Sequence, residues 1–124
     1  VDRLVAESIA EAVAAFDHGL LLIGLSGSLL VAAGEAAGLG VRNEAFVDRR
    51  YQANGQLVSR ETQGALVTDP SLAAQQALAL ARGESVVTLD GRALRIRAET
   101  LCLHSDTPSA LNIAQAVHAA LNRG

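Results

Sequence analysis

Two short runs decide the fold class: Leu20-Leu21-Leu22-Ile23-Gly24-Leu25-Ser26-Gly27-Ser28 and, a little further on, Val41-Arg42-Asn43-Glu44-Ala45-Phe46. Leu20 to Leu25 is continuously apolar and short, which suits a strand buried on both faces, as in a parallel sheet. Ser26-Gly27-Ser28 turns the chain into a helix over about 28–37, which Gly38 ends, with Gly40 just beyond. Val41 to Phe46 reads as the next strand. Strand, helix and strand in that order form a βαβ unit, whose crossover is expected to be right-handed.

The flanking segments extend this pattern. Upstream, Leu4, Val5, Ile9, Ala12, Val13 and Phe16 recur at spacings of three and four within residues 2–17, predicting one buried helical stripe with Glu7 and Glu11 turned outward. Downstream, Val47 to Gly64 carries Asp48, Arg49, Arg50, Tyr51, the turn pair Asn54-Gly55 and Arg60, but no helical stripe. It reads as a long loop with at most a short ribbon at Leu57-Val58, and its length and charge favour function. Asp69-Pro70 then opens a helix in the preferred way, Asp capping free amides and Pro having none to satisfy. That helix runs to about Arg82 and stops at Gly83. Ser85–Leu89, Asp90-Gly91 and Ala93–Arg97 predict a β-hairpin, Glu99–His104 another apolar strand, and Thr107-Pro108 the start of a last helix over 108–122. The whole is an α/β chain with at least three parallel strands and a hairpin insertion, read as one domain over residues 1–124.

Composition narrows the function classes. Half of the 124 residues are apolar, 13 acids face 10 bases for a net charge of −3, and there is one cysteine, Cys102. Disorder and a disulfide scaffold are thereby excluded, and a nucleic-acid partner is disfavoured. The longest apolar run is far short of a bilayer span, so no membrane partner is expected. The lone thiol, with no basic-then-apolar leader, points to the cytoplasm. There is no Met, so Val1 is not a retained start, and the chain reads as a piece of something longer. With only Phe16, Phe46 and Tyr51 as aromatics, the core must be built from Ala, Leu and Val, whose small members let helices lie close to a sheet.

In parallel α/β folds, chemistry gathers beyond the C-terminal ends of the strands. The first end supplies Gly24, Ser26, Gly27 and Ser28; the second, Asp48 and Arg49; the third, His104, Ser105, Asp106 and Thr107. A nucleophile elbow fails at the first end, because position 28 is Ser where Gly is required. A phosphate cradle fits there, although the same small residues also simply permit a tight turn. At the third end, Asp106 can orient the His104 imidazole or bind a ligand amine, or else cap the following helix. Arg49 and Arg50 can clamp a carboxylate or phosphate, or pair with Glu44 or Asp48. His18 and His118 carry no chemistry in this reading, and Cys102, between Leu101 and Leu103, reads as a buried, inert thiol. His104 and Asp106 alone are too few for a metal site, so no metal is expected in these residues.

The run Glu44-Ala45-Phe46-Val47-Asp48-Arg49-Arg50-Tyr51 resembles the E-x-F-x-D-R-x-Y block of the LamB/YcsF family. Leu57-Val58-Ser59-Arg60 with Gly64-Ala65 resembles the family's next block, and Thr100-Leu101-Cys102-Leu103-His104-Ser105-Asp106-Thr107-Pro108 resembles its I-C-x-H-G-D-T-P signature, with Ser105 where Gly is usual. Ala10 to Leu25 also resembles a family segment, so the likeness runs in order through the chain. The family's N-terminal blocks are not found. The resemblance implies an incomplete TIM-like (β/α) barrel of the glycoside hydrolase/deacetylase type, near the usual barrel size of roughly 250 residues, of which this chain is the C-terminal half. It implies a subunit of an ATP-dependent 5-oxoprolinase that acts with two other subunits to open 5-oxo-L-proline to L-glutamate, with ATP, accompanied by Mg, as cosubstrate. It further implies His104 and Asp106 as acid–base or orienting residues, and Asp48 and Arg49 as holding the ring carboxylate or a phosphorylated intermediate; Ser26 and Gly27, at the first strand end, are read beside them as substrate-binding. Such a half is expected to be inactive alone, and to associate with the missing N-terminal half or with itself. Two other readings stand beside this one: a non-catalytic binding or assembly fragment, and a metal-dependent deacetylase-like hydrolase of C–N bonds.

Overall fold

Asp2 opens the computed structural model, which describes residues 2–123. Its side chain accepts the Val5 amide and so caps α1 (Arg3–Phe16). The face that α1 buries is Ala6, Ala10 and Ala14, whereas Leu4, Val5, Ile9 and Phe16 of the expected stripe are exposed. The reason is closeness of approach: Ala6 and Ala10 meet Ala33 of α2 (Leu29–Ala36), and only small side chains let two helices lie so near. Ser28 caps α2 through the Val31 amide.

Under α2 runs β1 (Leu21–Leu25), paired in parallel with β2 (Gly40–Phe46) from Leu21 opposite Gly40 to Leu25 opposite Glu44. The βαβ reading therefore holds, but β1 is not buried on both faces. Leu22 packs toward α2, while Leu21 and Ile23 on the alternate face are more than half exposed. Gly34 sits where α2 comes down on the strands; a Cβ there would lie 2.8 Å from side-chain atoms of both Leu22 and Val41. These elements as far as Glu44, with Arg97–Thr100, form the first of two compact units. In it, Glu99 accepts both the backbone and side-chain amides of buried Asn43 at 2.9 Å.

The second unit is Ala45–Ile96 with the chain from Leu101 onward. Asp69 caps α3 (Pro70–Arg82), Pro70 stands in the first turn, and Gly83 ends the helix in the left-handed region at φ 70°. The segment before it is an irregular ribbon rather than an open loop: Arg50 donates to the Ala65 carbonyl and Val67 to that of Asp48, each at 2.8 Å. The hairpin is shorter than expected, β3 (Val86–Val87) against β4 (Ala93–Leu94), because Thr88 closes a wider turn through the Arg92 carbonyl and amide. β5 (Thr100–Cys102) follows, and the three longer strands are ordered β1-β2-β5 in one sheet. The last helix, α4 (Ala110–Arg123), starts two residues later than Pro108 promises. Ser109 precedes it at φ 65°, a left-handed conformation that costs a non-glycine residue about 1–2 kcal/mol. Val47, Val67, Ala73, Ala77 and Ile113 form the core, with α3 packed on α4.

Candidate functional site

β2 ends at Phe46, and two residues on the backbone turns Asp48 inward, where its side chain is wholly buried. Gln76 of α3 holds that turn from below, its amide donating to the Phe46 carbonyl at 2.8 Å and the Arg49 carbonyl at 2.9 Å. Burial alone leaves a carboxylate costly, and here three groups compensate it. The His104 backbone amide donates at 3.0 Å, the Thr107 hydroxyl at 2.6 Å, and His104 Nδ1 lies 3.0 Å from both carboxylate oxygens. Burial pushes the Asp48 carboxyl up, but these hydrogen bonds, from Thr107 and from the backbone and ring of His104, outweigh it and hold the group below its ordinary range.

An ionised carboxylate only accepts, so the ring proton of His104 sits on Nδ1 and Nε2 points away from Asp48. Phe46 packs edge-on to the imidazole, with ring centroids 4.8 Å apart, and fixes its plane. Nε2 lies 3.8 Å from Cys102 Sγ. His104 is part-exposed, so the ring is both oriented and reachable, which is what proton transfer to a bound molecule requires.

The structure thus gathers His104 and Asp48, though in a different relation from the one the sequence suggests. The partner of His104 is Asp48, not Asp106. Asp106 is exposed on the turn after His104, its carboxylate 3.3 Å from Arg60 Nη2. Arg49 is buried, with Nη2 on the Val58 carbonyl at 2.7 Å and Nε without an acceptor. Ser26 and Gly27 lie in the first unit. The amide of Ser26 donates to the Glu44 carbonyl, that of Gly27 to Asn43 Oδ1, and that of Ser28 to the Leu25 carbonyl. With the Val31 amide bound to Ser28 Oγ, four amides of this turn already have acceptors within the chain, which leaves few free for the phosphate cradle that the sequence suggests here. Among the described residues, no three His, Cys, Asp or Glu side chains gather as a metal-binding group, and no helix is long and apolar enough to cross a membrane.

Thr107, placed by the sequence at the third strand end as a helix opener, binds Asp48 instead, and Cys102, read from the sequence as buried, is part-exposed. For Cys102 a signal existed: residues two apart on a strand share a side, which places the thiol beside His104 rather than beside Leu101 and Leu103.

Fold and site together define an α/β protein with a parallel sheet and a histidine–aspartate pair, equipped for proton transfer, where a strand ends. The sequence matches the LamB/YcsF family over residues 1–124, and the chain belongs to that family. It is 42% identical to the A-type subunit of 5-oxoprolinase from Halalkalibacterium halodurans over 97% of this chain and 47% of that protein. It is 43% identical to the protein of the same name from Chloroflexus aggregans, over 97% of this chain and 48% of the relative. A crystal structure of the lactam utilization protein from Thermus thermophilus superposes with a TM-score of 0.90 at 43% identity, covering 98% of this chain and 48% of that one. The chain therefore spans about half the length of the relatives it matches.

Proposed function

We propose that this chain is the C-terminal half of a subunit of an ATP-dependent 5-oxoprolinase, and that Asp48 and His104 form its acid–base pair. The observation that carries this reading is the wholly buried Asp48 carboxylate, bound by Thr107 and by both the backbone and ring of His104. Opening 5-oxo-L-proline to L-glutamate requires a proton on the leaving lactam nitrogen and a base for the attacking group. Nε2 of a ring fixed by Asp48 can serve both, in turn. Asp106 with Arg60, on the exposed side of the same turn, is proposed to face the substrate. ATP, accompanied by Mg, is proposed as a cosubstrate of the assembled complex. The parallel strands are proposed as part of an incomplete TIM-like barrel, completed by an N-terminal half, with two further subunits as partners and the cytoplasm as location.

The test is ATP-dependent formation of glutamate from 5-oxoproline by a full-length subunit carrying this chain, with both partners present. His104→Ala is expected to lower turnover by roughly 10²–10⁴, the range of acid–base catalysis. Full turnover in that variant rejects the assignment. Asp106→Asn tests charge alone, because Asp106 pairs with Arg60 and does not cap α4; a fall in turnover with unchanged melting places that charge at the substrate, and unchanged turnover removes it from the site. The 124-residue chain assayed alone is expected to form no glutamate above a no-enzyme control.

A further inference from the structure

We propose that Cys102 is a nucleophile: the thiol of a Cys102–His104–Asp48 relay that forms an acyl thioester when an amide is opened. The relay itself rests on geometry; the amide as its substrate rests on the function proposed above.

Three features converge. The contacts run in the order that activates a nucleophile, Sγ to Nε2 at 3.8 Å and Nδ1 to the Asp48 carboxylate at 3.0 Å, so the imidazole stands between thiol and orienting acid. Asp48, 56 residues from His104 in sequence, is ionised and can only accept, which leaves the Nε2 lone pair toward the thiol. Finally, the strand end divides its side chains. Leu101 and Leu103 pack against the core around Val47 and Ile113, while Cys102 and His104 alternate with them and meet each other instead; all four are part-exposed. A thiol held only for packing would gain nothing from an oriented imidazole beside it.

The chemistry balances without an oxidant or reductant. Sγ bonds to the amide carbonyl carbon as the thiol proton passes to Nε2. The C–N bond then breaks, and the leaving nitrogen takes that proton. Water attacks the thioester, giving a proton to Nε2; the carbon–sulfur bond breaks, and Sγ recovers the proton from Nε2. The net change is amide plus water to acid plus amine.

Two measurements test this. In the first, iodoacetamide alkylation of Cys102 is followed at pH 7 in the 124-residue chain and in its His104→Gln variant, each first shown to melt cooperatively. If either fails to melt, the same comparison is made in the full-length subunit by peptide mass. The relay predicts alkylation about tenfold faster in the unmodified protein. Equal rates overturn it. In the second, Cys102→Ser and Cys102→Ala are placed in the full-length subunit with its partners and supplied with 5-oxoproline and ATP. Turnover is expected to fall at least about 10³-fold in each, with a hydroxylamine-labile adduct on Cys102 in the quenched unmodified enzyme. Full turnover in Cys102→Ala overturns the proposal. If alkylation is fast but the unmodified enzyme does not act on 5-oxoproline, the relay stands and the proposed substrate falls.

Discussion

The two units solve the burial problem in opposite ways. In the first, α1 meets α2 through alanines, and its large apolar side chains are left outside: Phe16 is 85% exposed and Leu4 is 73% exposed. In the second, Ile113, Leu80 and Tyr51 are almost completely enclosed, and a carboxylate is buried with them. The difference shows that apolar spacing does not choose a helix's buried face when small residues offer a second stripe. The stripe permitting the closer approach is the one buried, and the other is left exposed.

Several substitutions can break or sharpen that contrast. The largest loss should come from Ile113→Ala, which leaves a cavity in the second unit and is expected to destabilise by about 3–4 kcal/mol, read by denaturant unfolding. Asp48→Asn should follow at about 2–3 kcal/mol near neutral pH, since it removes a charged acceptor from three donors. Its pH dependence has a definite sign. The folded Asp48 carboxyl lies below its ordinary value of 3.8, so its stabilisation is complete above that value. It is lost as pH falls from there through the folded value. A Tm measured down an acid series should therefore drop less steeply in Asp48→Asn than in the unmodified chain. Ala10→Leu tests the first unit's close packing and should cost about 2 kcal/mol by overfilling the α1–α2 contact. A neutral result would show that the helices are not held at the spacing alanine allows. Phe16→Ser should change stability by less than about 0.5 kcal/mol; a larger loss would mean that the exposed face of α1 is covered in solution.

Elements with local signals were legible in the sequence. Asp69-Pro70 and Gly83 bracket α3 as their chemistry dictates, and the apolar run at 20–25 with its small-residue turn is a strand leading into α2. What sequence reasoning missed is non-local. Periodicity marked Leu4 and Phe16 for burial because it weighs hydrophobicity and not the distance at which α2 can approach. The start of α4 shifted because Thr107 is drawn to Asp48 and Ser109 takes the left-handed turn that follows. His104 and Asp48 were both marked as site residues, but their pairing was hidden, since Asp106 is near in sequence and Asp48 is not.

Gln76 carries a consequence for anyone exchanging helices between relatives. Its single side-chain nitrogen bridges the carbonyls on either side of the Asp48 turn, using both of its hydrogens. Glutamate has the same outline but would set a negative charge against two oxygens, and leucine would leave both carbonyls unmet. A transplanted α3 can therefore match in length, caps and apolar pattern and still misplace the carboxylate behind His104, unless an amide stands at that one position.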